Sequence, residues 1–147
     1  MKVYLRTLGC RLNQSETDTM ARQLRQQGHE IVDDAALAEA VVVNTRAVTQ
    51  DASRTSRLSV RELHRANQQA AITVTGCYAQ IAPAEIRVLS GVTQIVDNQH
   101  KDRLVEMLTG QPVEPFEIEP LERDRHAGAV GRTRAFVKVQ DGCDNAC

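Results

Sequence analysis

Five short runs rich in β-branched and apolar residues recur along the first hundred positions: KVYLRTL (2 to 8), HEIV (29 to 32), AVVVNT (40 to 45), AITVT (71 to 75) and TQIVD (93 to 97). Most are separated by stretches with helical patterning. This rhythm narrows the fold to an α/β sheet of parallel strands, because parallel neighbours need long crossovers and helices supply them. The VVV and ITV segments are apolar without alternation, as central strands covered on both faces must be. Ser15, with Asp18 three residues on, predicts a helix start. Met20 and Leu24 share one face of that helix, and Gly28 supplies its stop. Residues 33 to 40 predict a shorter helix, Thr49 caps a long one reaching about Asn67, Pro83 opens another, and HKDRLVEMLTG closes the domain with Gly110 as its stop. The expectation is a flavodoxin-like sheet with helices on both faces, spanning residues 1 to 110 and folding without metal.

With 147 residues, 41% hydrophobic and 25% charged, the chain has the composition of a globular domain with one ordinary core. No apolar run approaches the roughly 18 residues of a spanning helix. The N-terminus MKVYLRTLGC lacks the basic region and apolar core of a signal peptide, so a cytoplasmic location with no membrane partner is expected. The net charge of −1 gives no overall pull toward nucleic acid, and any basic surface must be local. Residues 111 to 133 hold three of the four prolines among mixed charges and read as an extended linker. RAFVKVQ (134 to 140) then resumes as a strand and runs into DGCDNAC, the expected start of a second domain.

The four cysteines, at 10, 77, 143 and 147, are too few and too scattered for a secreted disulfide scaffold. Metal or redox chemistry therefore gains weight. Cys10 follows the first strand and Cys77 the fourth, each after a glycine that allows a tight turn. Ligand sites of open α/β sheets gather at the carboxyl ends of the strands. Taken singly, either cysteine reads better as a small buried hydrophobe, and two at equivalent strand ends shift the weight toward a site. Arg46 stands at the third equivalent strand end. Taken alone, the spacing of Cys143 and Cys147 fits a metal site, a disulfide or neither. His29, His64, His100 and His126 show no zinc-like spacing with the cysteines.

Together LGCRLNQSE, NTxAVT, TGCYAQIAPAEI and RAFVKVQDGCDNAC resemble the radical S-adenosylmethionine methylthiotransferases that modify tRNA. The wording is most similar to the branch acting on threonylcarbamoyladenosine beside the anticodon. The resemblance implies two 4Fe-4S clusters, S-adenosylmethionine, a tRNA substrate, a sulfur donor and the iron–sulfur assembly machinery. By the same resemblance Cys10 and Cys77 match two ligands of an auxiliary cluster. Cys143 and Cys147 match the first two cysteines of the motif that holds the S-adenosylmethionine cluster. DGCDNAC then reads as the front of that motif, residues 134 to 147 as the start of a radical barrel, and the chain as the front part of a longer enzyme, itself inactive. Arg46 occupies the position of the third auxiliary cysteine, where a guanidinium has no lone pair for iron.

On the helix QDASRTSRLSVRELHRAN, Arg54, Arg57, Arg61 and Arg65 recur at intervals of three and four, while Ala52, Val60 and Leu63 point to the other face. Such a stripe suits RNA phosphates and equally suits a solvated helix face. An aromatic fraction of 3% offers little for base stacking. Two other functions fit the pattern. One is a non-catalytic tRNA-docking or interaction module. The other is a flavin-binding flavodoxin-like domain, for which GCRLNQSE is the nearest phosphate cradle.

Overall fold

The computed structural model describes residues 1–47 and 49–113. Five strands form one sheet: β1 (Lys2–Thr7), β2 (Glu30–Val32), β3 (Ala40–Thr45), β4 (Ala71–Gly76) and β5 (Val92–Val96). All pairings are parallel and the spatial order is β2-β1-β3-β4-β5. The alternation predicts the flavodoxin-like parallel sheet, and the structure supplies its doubly wound strand order.

Every residue of β3 is buried, and the pleat sends its side chains to two different cores. Val41 and Val43 join Ile72, Val74, Val60, Leu63, Tyr78 and Ile86 on one face. Val42 joins Val3, Met20, Leu24, Val96, Leu104 and Val105 on the other. That is why the run carries no polar alternation. Helix α1 (Arg11–Gln26) and α5 (Leu104–Thr109) supply the second core. Helices α2 (Gln50–Ala66), α3 (Cys77–Ile81) and α4 (Pro83–Arg87) cover the first.

Several helix signals hold in detail. The Thr49 hydroxyl accepts from the Ala52 amide at 3.1 Å and caps α2. Pro83 sits at the first position of α4, and Gly110 ends α5 in the left-handed conformation.

Two expectations are corrected. Helix α1 begins at Arg11 rather than near Ser15, with extended Cys10 as its N-cap. Its thiol makes no capping bond, so the usual Ser, Thr, Asp or Asn signal is missing there. Ser15 lies inside the helix, where its carbonyl accepts from Thr19 Oγ1. Residues 33 to 40 form only a 3-10 turn, Ala35–Leu37. The Asn67 side chain donates through Nδ2 to the carbonyls of Ala35, Ala36 and Ala38, and the Glu39 backbone N–H donates to Lys2 O, so these groups serve neighbouring segments.

The start of the expected linker rests on the domain. Gln27 Nε2 donates to the carbonyls of Gln111 and Pro112 at 3.3 Å each, and Val113 packs against the α1 and α5 core. The rest of the linker, the strand at 134 to 140, Cys143, Cys147 and His126 lie outside the described residues. No described helix is long and apolar enough to cross a membrane.

Candidate functional site

Parallel register brings three strand ends to one level. Thr7 pairs with Asn44, Asn44 with Thr75, and Thr45 with Gly76. The residues that follow are therefore neighbours at the carboxyl edge: the Gly9–Cys10 turn after β1, Arg46 after β3 and Cys77 after β4. Adjacency of β1, β3 and β4 in the sheet does what the sequence left conditional.

Both glycines before the cysteines are required by close approach. Gly76 has φ +94°, and a Cβ there would lie 2.3 Å from Thr45 O and 2.6 Å from Asn44 Oδ1. Gly9 has φ +148°, and a Cβ there would lie 2.9 Å from Asn13 Nδ2, 3.2 Å from Arg46 Cβ and 3.4 Å from Arg46 Cδ. The aliphatic stem of Arg46 thus passes beside the turn that carries Cys10. Its head is exposed and has no ion-pair partner among the described residues.

A buried polar network supports this edge. Asn13, only 3% exposed, donates through Nδ2 to Thr45 O at 3.0 Å and to Leu8 O at 3.4 Å. Its Oδ1 accepts from Cys10 Sγ at 3.5 Å. Asn44 Nδ2 donates to Asn13 O at 3.0 Å and to Glu16 Oε2 at 3.2 Å. Glu16 in turn pairs with the Lys101 ammonium, and both side chains are nearly excluded from solvent. Asn13, Glu16, Asn44 and Lys101 were given no role by the sequence. The signal was present in part, since Asn13, Glu16 and Asn44 fall within the quoted LGCRLNQSE and NTxAVT segments.

Cys10 is exposed and Cys77 is half-buried. After Cys77, Tyr78 turns into the core, and its hydroxyl donates to Glu85 Oε2 at 2.7 Å. Arg57 reaches the same Glu85 oxygen at 2.6 Å and the Tyr78 hydroxyl at 3.0 Å. The Tyr78 hydrogen bond, together with the Arg57 charge, holds the Glu85 carboxyl below the ordinary carboxylate range. Burial, followed by the bond to Glu85, pushes the Tyr78 hydroxyl up. The cluster ties α2 to the turn behind Cys77.

Of the arginine stripe on α2, Arg57 is committed to this cluster. Arg54, Arg61 and Arg65 are exposed and carry no ion pair among the described residues, while Ala52, Val60 and Leu63 are buried as expected.

Residues 2–97 match the family model described as "Uncharacterized protein family UPF0004". The chain belongs to this family. A threonylcarbamoyladenosine tRNA methylthiotransferase of Aquifex aeolicus is 35% identical across 100% of this chain and 38% of its own length. One of Bacillus subtilis is 33% identical across 99% of the chain and 34% of its own length. A ribosomal protein uS12 methylthiotransferase of Thermotoga sp. is 32% identical across 100% of the chain and 35% of its own length. The chain therefore spans about a third of the length of these relatives. Iron–sulfur chemistry at the edge can be tested against the donors present. Cys10 and Cys77 are soft anionic ligands when deprotonated, but Arg46 offers only donor N–H groups. Among the described residues no three His, Cys, Asp or Glu side chains are grouped to hold a metal. The set does not fit a cluster bound by three thiolates.

Proposed function

We propose that the chain is the front part of a tRNA methylthiotransferase acting on threonylcarbamoyladenosine next to the anticodon. Residues 1–110 are its N-terminal domain, 111–133 a linker, and 134–147 the start of a radical S-adenosylmethionine domain. The observation that carries this reading is the alignment of essentially the whole chain with the Aquifex aeolicus and Bacillus subtilis enzymes. In the complete protein, 4Fe-4S chemistry and S-adenosylmethionine supply replacement of an adenosine C–H bond by C–S–CH3. Cys143 and Cys147 are the first two thiolates of the S-adenosylmethionine cluster, and Cys10 and Cys77 are two auxiliary ligand positions. The enzyme works in the cytoplasm with tRNA, a sulfur donor and the iron–sulfur assembly machinery. The 147-residue chain alone is inactive. A second reading, a non-catalytic tRNA-docking module, is favoured by Arg46 and by the exposed Arg54, Arg61 and Arg65, which suit phosphates.

The test is a chimera in which this chain, with Arg46→Cys, replaces the matching front third of the Bacillus subtilis enzyme. It is expressed in cells lacking their own copy, and tRNA nucleosides are analysed by mass spectrometry. Methylthiolated threonylcarbamoyladenosine is the expected product. Its absence from tRNA, with the chimera folded and present, would overturn the enzymatic reading, and the modification on ribosomal protein uS12 instead would move the chain to the other branch.

A further inference from the structure

We infer that Arg46 closes this sheet edge to an iron–sulfur cluster, and that residue 46 alone decides whether the edge accepts one. The inference rests on the reading of Cys10 and Cys77 as ligand positions. Three observations carry it.

Position comes first. Arg46 directly follows Thr45, which pairs with Gly76, so residues 46 and 77 leave the sheet at the same level. On the other side, the Arg46 stem lies against Gly9, the residue before Cys10. Residue 46 is thus set between the two thiol-bearing turns, on the strand that separates theirs.

Chemistry comes second. A guanidinium stays protonated and has no free lone pair, so it adds a positive charge where a four-iron cluster requires a soft anion. Two thiolates leave two irons of such a cluster without a protein ligand. Among the described residues no other His, Cys, Asp or Glu joins Cys10 and Cys77 to make up the deficit.

The third observation is that everything else at the edge is in place. Asn13 ties the Cys10 turn to Thr45, Gly76 lets the Cys77 turn pass against β3, and Lys101 and Glu16 anchor the network beneath. One side chain separates this edge from a three-thiolate set. Since Arg46 is exposed and makes no ion pair among the described residues, replacing it is expected to leave the fold intact.

The experiment uses the full chain with Cys143→Ser and Cys147→Ser in every arm, so that only the sheet edge can load. Each protein is reconstituted anaerobically with ferrous iron and sulfide, then assayed for both and examined by electron paramagnetic resonance after reduction. Arg46→Cys is expected to hold about four irons per chain, while the Arg46 protein and Arg46→Ala hold almost none. Adding Cys10→Ser to Arg46→Cys should abolish loading. A cluster in the Arg46 protein that depends on Cys10 and Cys77 would overturn the inference while leaving the ligand reading intact. That arm decides even if a variant fails to fold. Equal loading of Arg46→Ala and Arg46→Cys would show that position 46 is not a ligand position. Absence of iron from a folded Arg46→Cys protein would overturn the inference together with the assignment of Cys10 and Cys77.

Discussion

Gly76→Ala is expected to destabilise the domain by about 3 kcal/mol or more, near the upper end of single substitutions. Two penalties combine. The backbone φ of +94° is unfavourable for any residue with a Cβ, and the new methyl would lie 2.3 Å from Thr45 O. That oxygen is backbone in a central strand and cannot swing aside. Relief requires parting β3 from β4 at the level of the site. Gly28→Ala and Gly110→Ala are the controls, because nothing lies within 4 Å of a Cβ at either position. They should cost only the conformational part, about 1 kcal/mol each. Thermal or urea unfolding of the three variants checks the ranking, and equal losses would mean that the close approach at Gly76 contributes nothing.

Lys101→Met should cost about 3 to 5 kcal/mol, because it removes the ammonium paired with the nearly buried Glu16 carboxylate. Asn44 still donates to Glu16 Oε2, but a hydrogen bond from a neutral amide is weaker than one from an ammonium. Adding Glu16→Gln removes the buried negative charge that Lys101 balanced and keeps an acceptor for Asn44. The double variant is therefore expected to be more stable than Lys101→Met alone, a coupling visible in a double-mutant cycle. Strict additivity in urea unfolding would contradict the buried pair. The network also links the stability of α1 and the segment after β5 to the placement of Cys10, since Glu16 and Cys10 both meet the Asn13–Asn44 cluster.

What the sequence made legible was set by local physics. The all-apolar run of β3 announced a central strand because burial on both faces leaves no room for alternation. Thr49, Pro83 and Gly110 act within one helical turn of themselves, and each marked its helix end correctly. The start of α1 was not legible, because a cysteine without a capping bond sits where a hydroxyl or carboxylate is the usual sign. Helix α3 was missed for a similar reason. It begins directly at Cys77 after a glycine with positive φ and lasts five residues, too short for periodicity to register.

For the site, the positions of Cys10, Arg46 and Cys77 after their strands were readable, but their convergence depended on strand order. The polar support was not readable at all. Lys101 and Glu16 are 85 positions apart, and a lysine at the start of an amphipathic segment ordinarily belongs to solvent. The same holds for Arg57, which fits an exposed stripe by spacing and is drawn to Glu85 by a fold contact 28 residues away.

The account depends most directly on the convergence of the turns after β1 and β4 at one edge. With a single strand between them, strand spacing puts these ends about 10 Å apart. In the chain with Cys143→Ser and Cys147→Ser, a short bifunctional maleimide should join Cys10 to Cys77 within one molecule. The link would be identified by peptide mass spectrometry and lost when the reagent is added in urea. If both thiols instead take up the reagent singly, and no intramolecular Cys10–Cys77 link forms in the folded protein, the shared edge does not exist.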